Sequence, residues 1–177
     1  MPQIPAVAFV GRQNSGKTTL LEALIAELVS RGIKVGTVKH HSHAGFAIDY
    51  EGKDSWRHRK AGSSFVVVAS PDQIASVRSL EHEIELDEIL PSICDVDVIL
   101  VEGYRQSGLP TIELFRSGNP NDQERELGGL GNRIIAVVTD IPRIELAAAK
   151  QALPVFSFKA TEALATFIET AILNWAP

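Results

Sequence analysis

Cysteine is nearly absent: Cys94 stands alone among 177 residues. One cysteine excludes an internal disulfide and makes a reducing compartment natural. It also excludes a cysteine-cluster zinc or iron–sulfur site within one chain. Excess positive charge is missing too. The chain has 17 Lys and Arg against 22 Asp and Glu, a formal net charge of −5. No global field therefore favours nucleic acid or an anionic membrane, and any anion site must be local. No apolar run reaches the ~18 residues of a membrane span, and no basic segment leading into an apolar one opens the sequence. A cytoplasmic location is expected, with neither nucleic acid nor membrane as partner. Internal repeats and Gly/Ser/Pro-rich linkers are also lacking, so residues 1–177 read as a single domain.

What is present is a phosphate-loop pattern. Gly11-Arg12-Gln13-Asn14-Ser15-Gly16-Lys17-Thr18 fits G-x-x-x-x-G-K-[ST] at every fixed position. Its flanks fit as well. Ala6 to Val10 is apolar and β-favouring, a buried strand. Leu20, Leu21, Leu24, Ile25, Leu28 and Val29 recur at helical spacing, which predicts a helix from Thr18 to about Ser30. In such a unit the glycines let successive backbone N–H groups point inward, and the helix dipole adds positive potential. Lys17 can reach the β- and γ-phosphates, and the Thr18 hydroxyl can ligate Mg²⁺.

Further apolar stretches predict strands at Lys34 to Val38, Ser64 to Ala69, Asp97 to Val101, Thr111 to Phe115, Ile134 to Val138 and Leu153 to Phe156. Gln73 to Leu80 can pair back on the strand before it. Helices are expected from Asp54 or Ser55 to about Ala61, near Leu86 to Leu90, from Pro142 to Gln151, and after a Thr161 cap. The last would place Leu164, Phe167, Ile168, Ile172 and Trp175 on one face. Ser117 to Asn132, with four glycines and several charges, reads as a long surface loop. The alternation implies an α/β fold of P-loop NTPase type, a mainly parallel sheet with helices on both faces. Ligands in such folds bind at the carboxyl ends of the strands. The loops to inspect therefore follow Val10, Val38, Val101 and Val138.

Glu102-Gly103 follows one of these strands. A carboxylate there is placed to hold Mg²⁺ directly or through water, and Gly103 would let backbone approach the γ-phosphate. A surface ion pair is the alternative use of Glu102. Asp140, after Ile134 to Val138, could accept the N1–H and amino group of guanine, or could cap the next helix. GTPases commonly carry Asn-Lys-x-Asp at this place, and only the final Asp survives in Val-Val-Thr-Asp. Asp49 and Asp54 are candidate Mg²⁺ or water-positioning groups. His40, His41 and His43 lie in a polar stretch without the helical i, i+4 spacing of a preformed metal site, so solvated side chains or anion donors fit them better. Lys53, Arg57, Arg59 and Lys60 stand against Asp54 alone, and suit either a second anionic ligand or a solvated basic helix.

Together these residues resemble the molybdopterin-guanine dinucleotide biosynthesis protein B (MobB) family over nearly the whole chain. The specific matches are Val38-Lys39-His40, Asp49, and Gly52-Lys53-Asp54-Ser55-Trp56-Arg57-His58-Arg59 with Ala61-Gly62. Val101-Glu102-Gly103-Tyr104, Pro110-Thr111-Ile112-Glu113 and Val138-Thr139-Asp140 complete them. The resemblance implies a GTP- and Mg²⁺-binding accessory protein of molybdenum-cofactor maturation, weakly hydrolytic and homodimeric. It would assist the nucleotidyltransferase that joins GMP to molybdopterin (MobA), with molybdopterin a further candidate ligand. Gly11, Asn14, Ser15, Gly16, Lys17, Thr18 and Thr19 would then hold phosphates. Lys17 and Glu102 would act in hydrolysis, and Thr18, Glu102 and Asp49 would serve the metal. Lys39 and His40 would lie beside the nucleotide, with Asp140 at the base. Two other classes compete: a small-molecule kinase of the same fold, whose basic helix would clamp an acceptor phosphate, with no arginine-rich lid evident although Arg125 and Arg133 flank the long loop, and a metal-delivery GTPase using the histidines.

Overall fold

In the computed structural model, which describes residues 4–41, 49–130 and 133–173, the chain runs β1 (Ala6–Val10), α1 (Lys17–Ser30), β2 (Val35–Lys39), α2 (Asp54–Lys60), β3 (Phe65–Ala69) and β4 (Ile74–Arg78). It continues with α3 (Leu86–Ile89), β5 (Val98–Glu102), β6 (Thr111–Phe115), β7 (Ile134–Thr139), α4 (Pro142–Lys150), β8 (Val155–Phe156) and α5 (Thr161–Ile168). His43 and Trp175 lie outside the described residues. The chain divides into two compact units, one of Met1–His40 with Leu90–Pro177, the other of His41–Ile89. No linker composition marks either junction. Among the described residues no helix is long and apolar enough to cross a membrane.

The larger unit is built on a six-stranded sheet in the order β2-β5-β1-β6-β7-β8, and every pairing in it is parallel. All five residues of β1 are buried, because a central parallel strand is covered on both faces. Alternation along the strands divides the core. Val7, Phe9, Leu100 and Leu114 point to the face carrying Leu20, Leu24 and Leu28 of α1 and Leu164 and Ile168 of α5. Phe115 and Val137 point to the other, against Ile144 and Ala148 of α4. The chain leaves β1 toward β2 and later returns to β6 on the opposite side. The topological switch, and hence the crevice for a ligand, is at the carboxyl end of β1.

Helix α1 has no side-chain cap and no acid in its first turn. It ends in a Schellman turn at Gly32, whose N–H donates to Val29 O at 2.9 Å while Ile33 N–H reaches Leu28 O at 3.1 Å. In the smaller unit β3 and β4 form an antiparallel hairpin, as the Ser70-Pro71-Asp72 turn suggested. Two expected caps are displaced by one residue. Lys53 precedes α2 in extended conformation and makes no side-chain cap, leaving Asp54 in the first turn. Ala160 precedes α5, so Thr161 is its first residue. The strand boundaries also move: β5 extends through Glu102, and β2 through Lys39.

The segment after β6 departs most from expectation. It holds a 3₁₀ turn at Pro120–Asp122, and Asn119, Asp122 and Arg125 are buried rather than on the surface. The cause is Glu113, which sits mid-strand with no exposure and needs a cationic partner.

Candidate functional site

The loop between β1 and α1 closes on itself before it meets the helix. Ser15 Oγ donates to Arg12 O at 2.6 Å and Ser15 N–H to the same oxygen at 3.2 Å. Asn14 and Gly16 take left-handed conformations, φ 64° and 78°. These two inversions curl the backbone so that the first turn of α1 opens into the crevice. Lys17 Nζ reaches back along the loop, donating to Gly11 O at 3.1 Å and Arg12 O at 2.8 Å. Burial pushes the Lys17 pKa down, and the Glu102 carboxylate opposes that shift. A phosphate would offer this ammonium a charged acceptor in place of two carbonyls.

Glu102, at the carboxyl end of β5, faces the same crevice. Thr18 Oγ1 donates to its two oxygens at 3.1 and 3.2 Å, a contact between residues 84 positions apart. Lys39, at the end of β2, lies 3.3 Å from Glu102 Oε2. His40 N–H donates to Glu102 O at 2.9 Å, and Gly103 N–H to Phe9 O at 3.1 Å, so three strand ends are tied together. Gly103 has φ 98°, and a Cβ on it would meet the His40 Cβ at 2.8 Å, so no other residue fits without displacing β2. The His40 ring in turn lies 4.6 Å from that of Tyr104. Gln13, Asn14, Gly16, Lys17, Thr18, Thr19, Lys39 and Glu102 line a cleft of about 500 Å³. The size suits a small polar ligand, and the donors at one end suit phosphate.

Beneath the loop lies a buried polar cluster. Asn119 Nδ2 donates to Gln13 O at 2.9 Å and to Asp122 Oδ2 at 3.0 Å. Arg125 donates to Asp122 Oδ1 at 2.9 Å, to Glu113 Oε1 at 2.6 Å and to Leu114 O, and stacks 3.6 Å over the Phe115 ring. Burial pushes the Glu113 pKa up, with Gly128 N–H and Arg125 opposing it. Burial likewise pushes Arg125 down. The cluster braces the phosphate loop from below through Asn119. The signal for it was Glu113 itself, an acid between Ile112 and Leu114 in an otherwise apolar strand. Arg125, which flanks the long loop in sequence, is committed to this cluster.

The model of the family described as Molybdopterin guanine dinucleotide synthesis protein B (MobB) matches residues 6–140. The chain belongs to this family. It is 39% identical over 142 residues to the molybdopterin-guanine dinucleotide biosynthesis adapter protein of Haemophilus influenzae, covering 79% of this chain and 77% of that one. It is 40% identical over 143 residues to the adapter protein of the same name from Escherichia coli, covering 78% and 80%. The crystal structure of Bacillus subtilis MobB superposes with a TM-score of 0.74 at 25% identity, over 95% of this chain and 98% of that one. The MobB match extends over β1, the phosphate loop, Glu102 and Asp140, the carboxyl-end features described above.

Asp140, an expected site residue, is not among those lining the cleft. Asp140 Oδ1 accepts Ser117 N–H at 2.6 Å and its Oδ2 lies 3.8 Å from Arg116 Nε. It does not cap α4, whose cap position is Ile141 without a side-chain bond. Its carboxylate is 40% exposed and lies at the carboxyl end of β7. Asp49 belongs to the smaller unit. Its Oδ1 accepts Ser55 Oγ at 2.9 Å and its Oδ2 lies 3.5 Å from Arg59 Nε. Among the described residues no three His, Cys, Asp or Glu side chains converge as a metal site, and the histidine stretch of the metal-delivery reading continues to His43, outside those residues.

Proposed function

We propose that this chain is a GTP-binding adapter in the biosynthesis of molybdopterin-guanine dinucleotide, assisting the enzyme that joins GMP to molybdopterin. The observation that carries the nucleotide part is the contact of Thr18 with Glu102 at the mouth of the phosphate loop. Thr18 Oγ1 and Glu102 Oε1, 3.1 Å apart at the mouth of the loop, are hard oxygen donors that would hold Mg²⁺. Mg²⁺ would neutralise charge on the terminal phosphates, with Lys17 turning from the loop carbonyls to the same oxygens. Asp140, exposed at the end of β7, would accept from the guanine edge.

Slow hydrolysis follows from how Glu102 is used. With Mg²⁺ bound, its carboxylate would be held by the metal. A carboxylate so committed is a poor base for the attacking water. The protein would act chiefly by binding GTP, as a cytoplasmic homodimer, and by presenting itself to its partner. The adapter role is supported by the names of the relatives from H. influenzae and E. coli. The test is reconstitution: purified guanylyltransferase, molybdopterin and GTP, with wild-type protein or Lys17→Ala. Faster formation of the dinucleotide with wild type and none of that gain with Lys17→Ala is the expected result. Equal stimulation by both would detach the adapter role from the phosphate loop.

A further inference from the structure

Thr18 and Glu102 do not face each other alone. Lys39 is in register with Glu102 across the β2–β5 pairing. Its ammonium lies 3.3 Å from Glu102 Oε2 and 3.4 Å from Thr18 Oγ1. The Thr18 hydroxyl gives its proton to Glu102, so its lone pairs are what Lys39 meets. The two oxygens that suit a divalent cation thus converge on one ammonium.

We propose that Lys39 is a tethered counter-ion for the metal position, so that its ammonium and Mg²⁺ are alternatives between Thr18 and Glu102 rather than neighbours there. This rests on the phosphate-loop reading above. The backbone of Lys39 cannot withdraw, because the strand register and the His40 N–H bond to Glu102 O fix it. The side chain can: it is more than half exposed, and its four-carbon stem swings freely. A dication beside Glu102 would be repelled by the Lys39 ammonium, 3.3 Å from the same carboxylate. Repulsion would then move the mobile Lys39 outward, toward phosphate oxygens or solvent. With Mg²⁺ scarce, Lys39 keeps the carboxylate neutralised and so keeps the crevice open to an anion. Without Lys39, an approaching phosphate would meet the bare Glu102 charge.

The test is a comparison of GDP affinity for wild type, Lys39→Met and Lys39→Arg, each in EDTA and in saturating Mg²⁺. The expected result is a ratio of the two dissociation constants that rises about tenfold or more in Lys39→Met, a change of 1.4 kcal/mol in coupling. Lys39→Arg, which keeps the charge, falls between. Acetylation of Lys39 in the GDP complex, followed by mass spectrometry, should be faster with Mg²⁺ than with EDTA. An equal loss of affinity in both buffers would make Lys39 an ordinary phosphate contact and overturn the exchange. So would an unchanged ratio, or a Lys39 reactivity indifferent to Mg²⁺. If wild type binds no GDP in either buffer, the phosphate-loop reading fails and this inference fails with it.

Discussion

Arg125→Ala removes the cation that bridges a buried pair of acids. The guanidinium bonds to Glu113 and Asp122, whose side chains have no exposure, and covers the Phe115 ring. Its loss leaves uncompensated charge in the interior, which costs about 3–5 kcal/mol for a buried pair. In urea, with a slope of about 2 kcal/mol per molar, the unfolding midpoint should fall by roughly 1.5–2.5 M. The deficit should also shrink in acid. Glu113 is already pushed up by burial, and the variant removes an opposing positive charge, so its proton is held more tightly still. A carboxyl whose folded pKa exceeds its unfolded value, about 4.3, contributes stability that is full below that value and lost as pH rises through the folded one. The gap between wild type and variant should therefore be narrower near pH 5 than at pH 8. The triple change Glu113→Met, Asp122→Asn, Arg125→Met replaces the charges together and should recover much of the midpoint. A loss under about 1 kcal/mol, as for an exposed pair, would refute the reasoning. So would a triple variant less stable than the single one.

Lys17→Ala should weaken binding of a GTP analogue by about a hundredfold, near 2.7 kcal/mol, while thermal unfolding shifts by no more than about 4 °C; calorimetry and circular dichroism check the two halves. Gly103→Ala should cost about 1–3 kcal/mol, because it combines a positive φ with a Cβ 2.8 Å from that of His40, and chemical unfolding reads it directly. Asp140→Ala should reduce the preference for guanine over adenine nucleotides at least tenfold, about 1.4 kcal/mol, in parallel titrations. Its fold should persist, since the carboxylate is partly exposed and holds one loop N–H.

The carboxyl-end crevice was legible in the sequence because its parts obey local rules. The glycine spacing, the helical spacing of the leucines after it and the position of Glu102 after an apolar strand each have a near neighbour to be read against. The rule that ligands sit at strand carboxyl ends then joined Thr18 to Glu102 across 84 residues. The polar cluster was not legible in the same way. Two-residue alternation tells which face Glu113 occupies but not what meets it there, and Arg125 comes from a segment whose glycines and charges have the composition of a surface loop. Lys39 is similar: its place at the end of β2 was readable, but its reach to both Thr18 and Glu102 depends on β5 lying next to β2. The division into two units left no mark either, since both junctions lack the composition of a linker. Cap positions at α2 and α5 slipped by one residue because Asp54 and Thr161 are as well suited to a first turn as to a cap.

The central claim is that the phosphate loop with Glu102 binds a guanine nucleotide together with Mg²⁺. The most direct measurement is a calorimetric titration of the purified protein with non-hydrolysable GTP and ATP analogues, each with and without Mg²⁺. The account predicts one site per chain, tighter with Mg²⁺, and tighter for GTP than for ATP. Equal or stronger binding of ATP would contradict the guanine reading, and no binding of either would contradict the phosphate site itself.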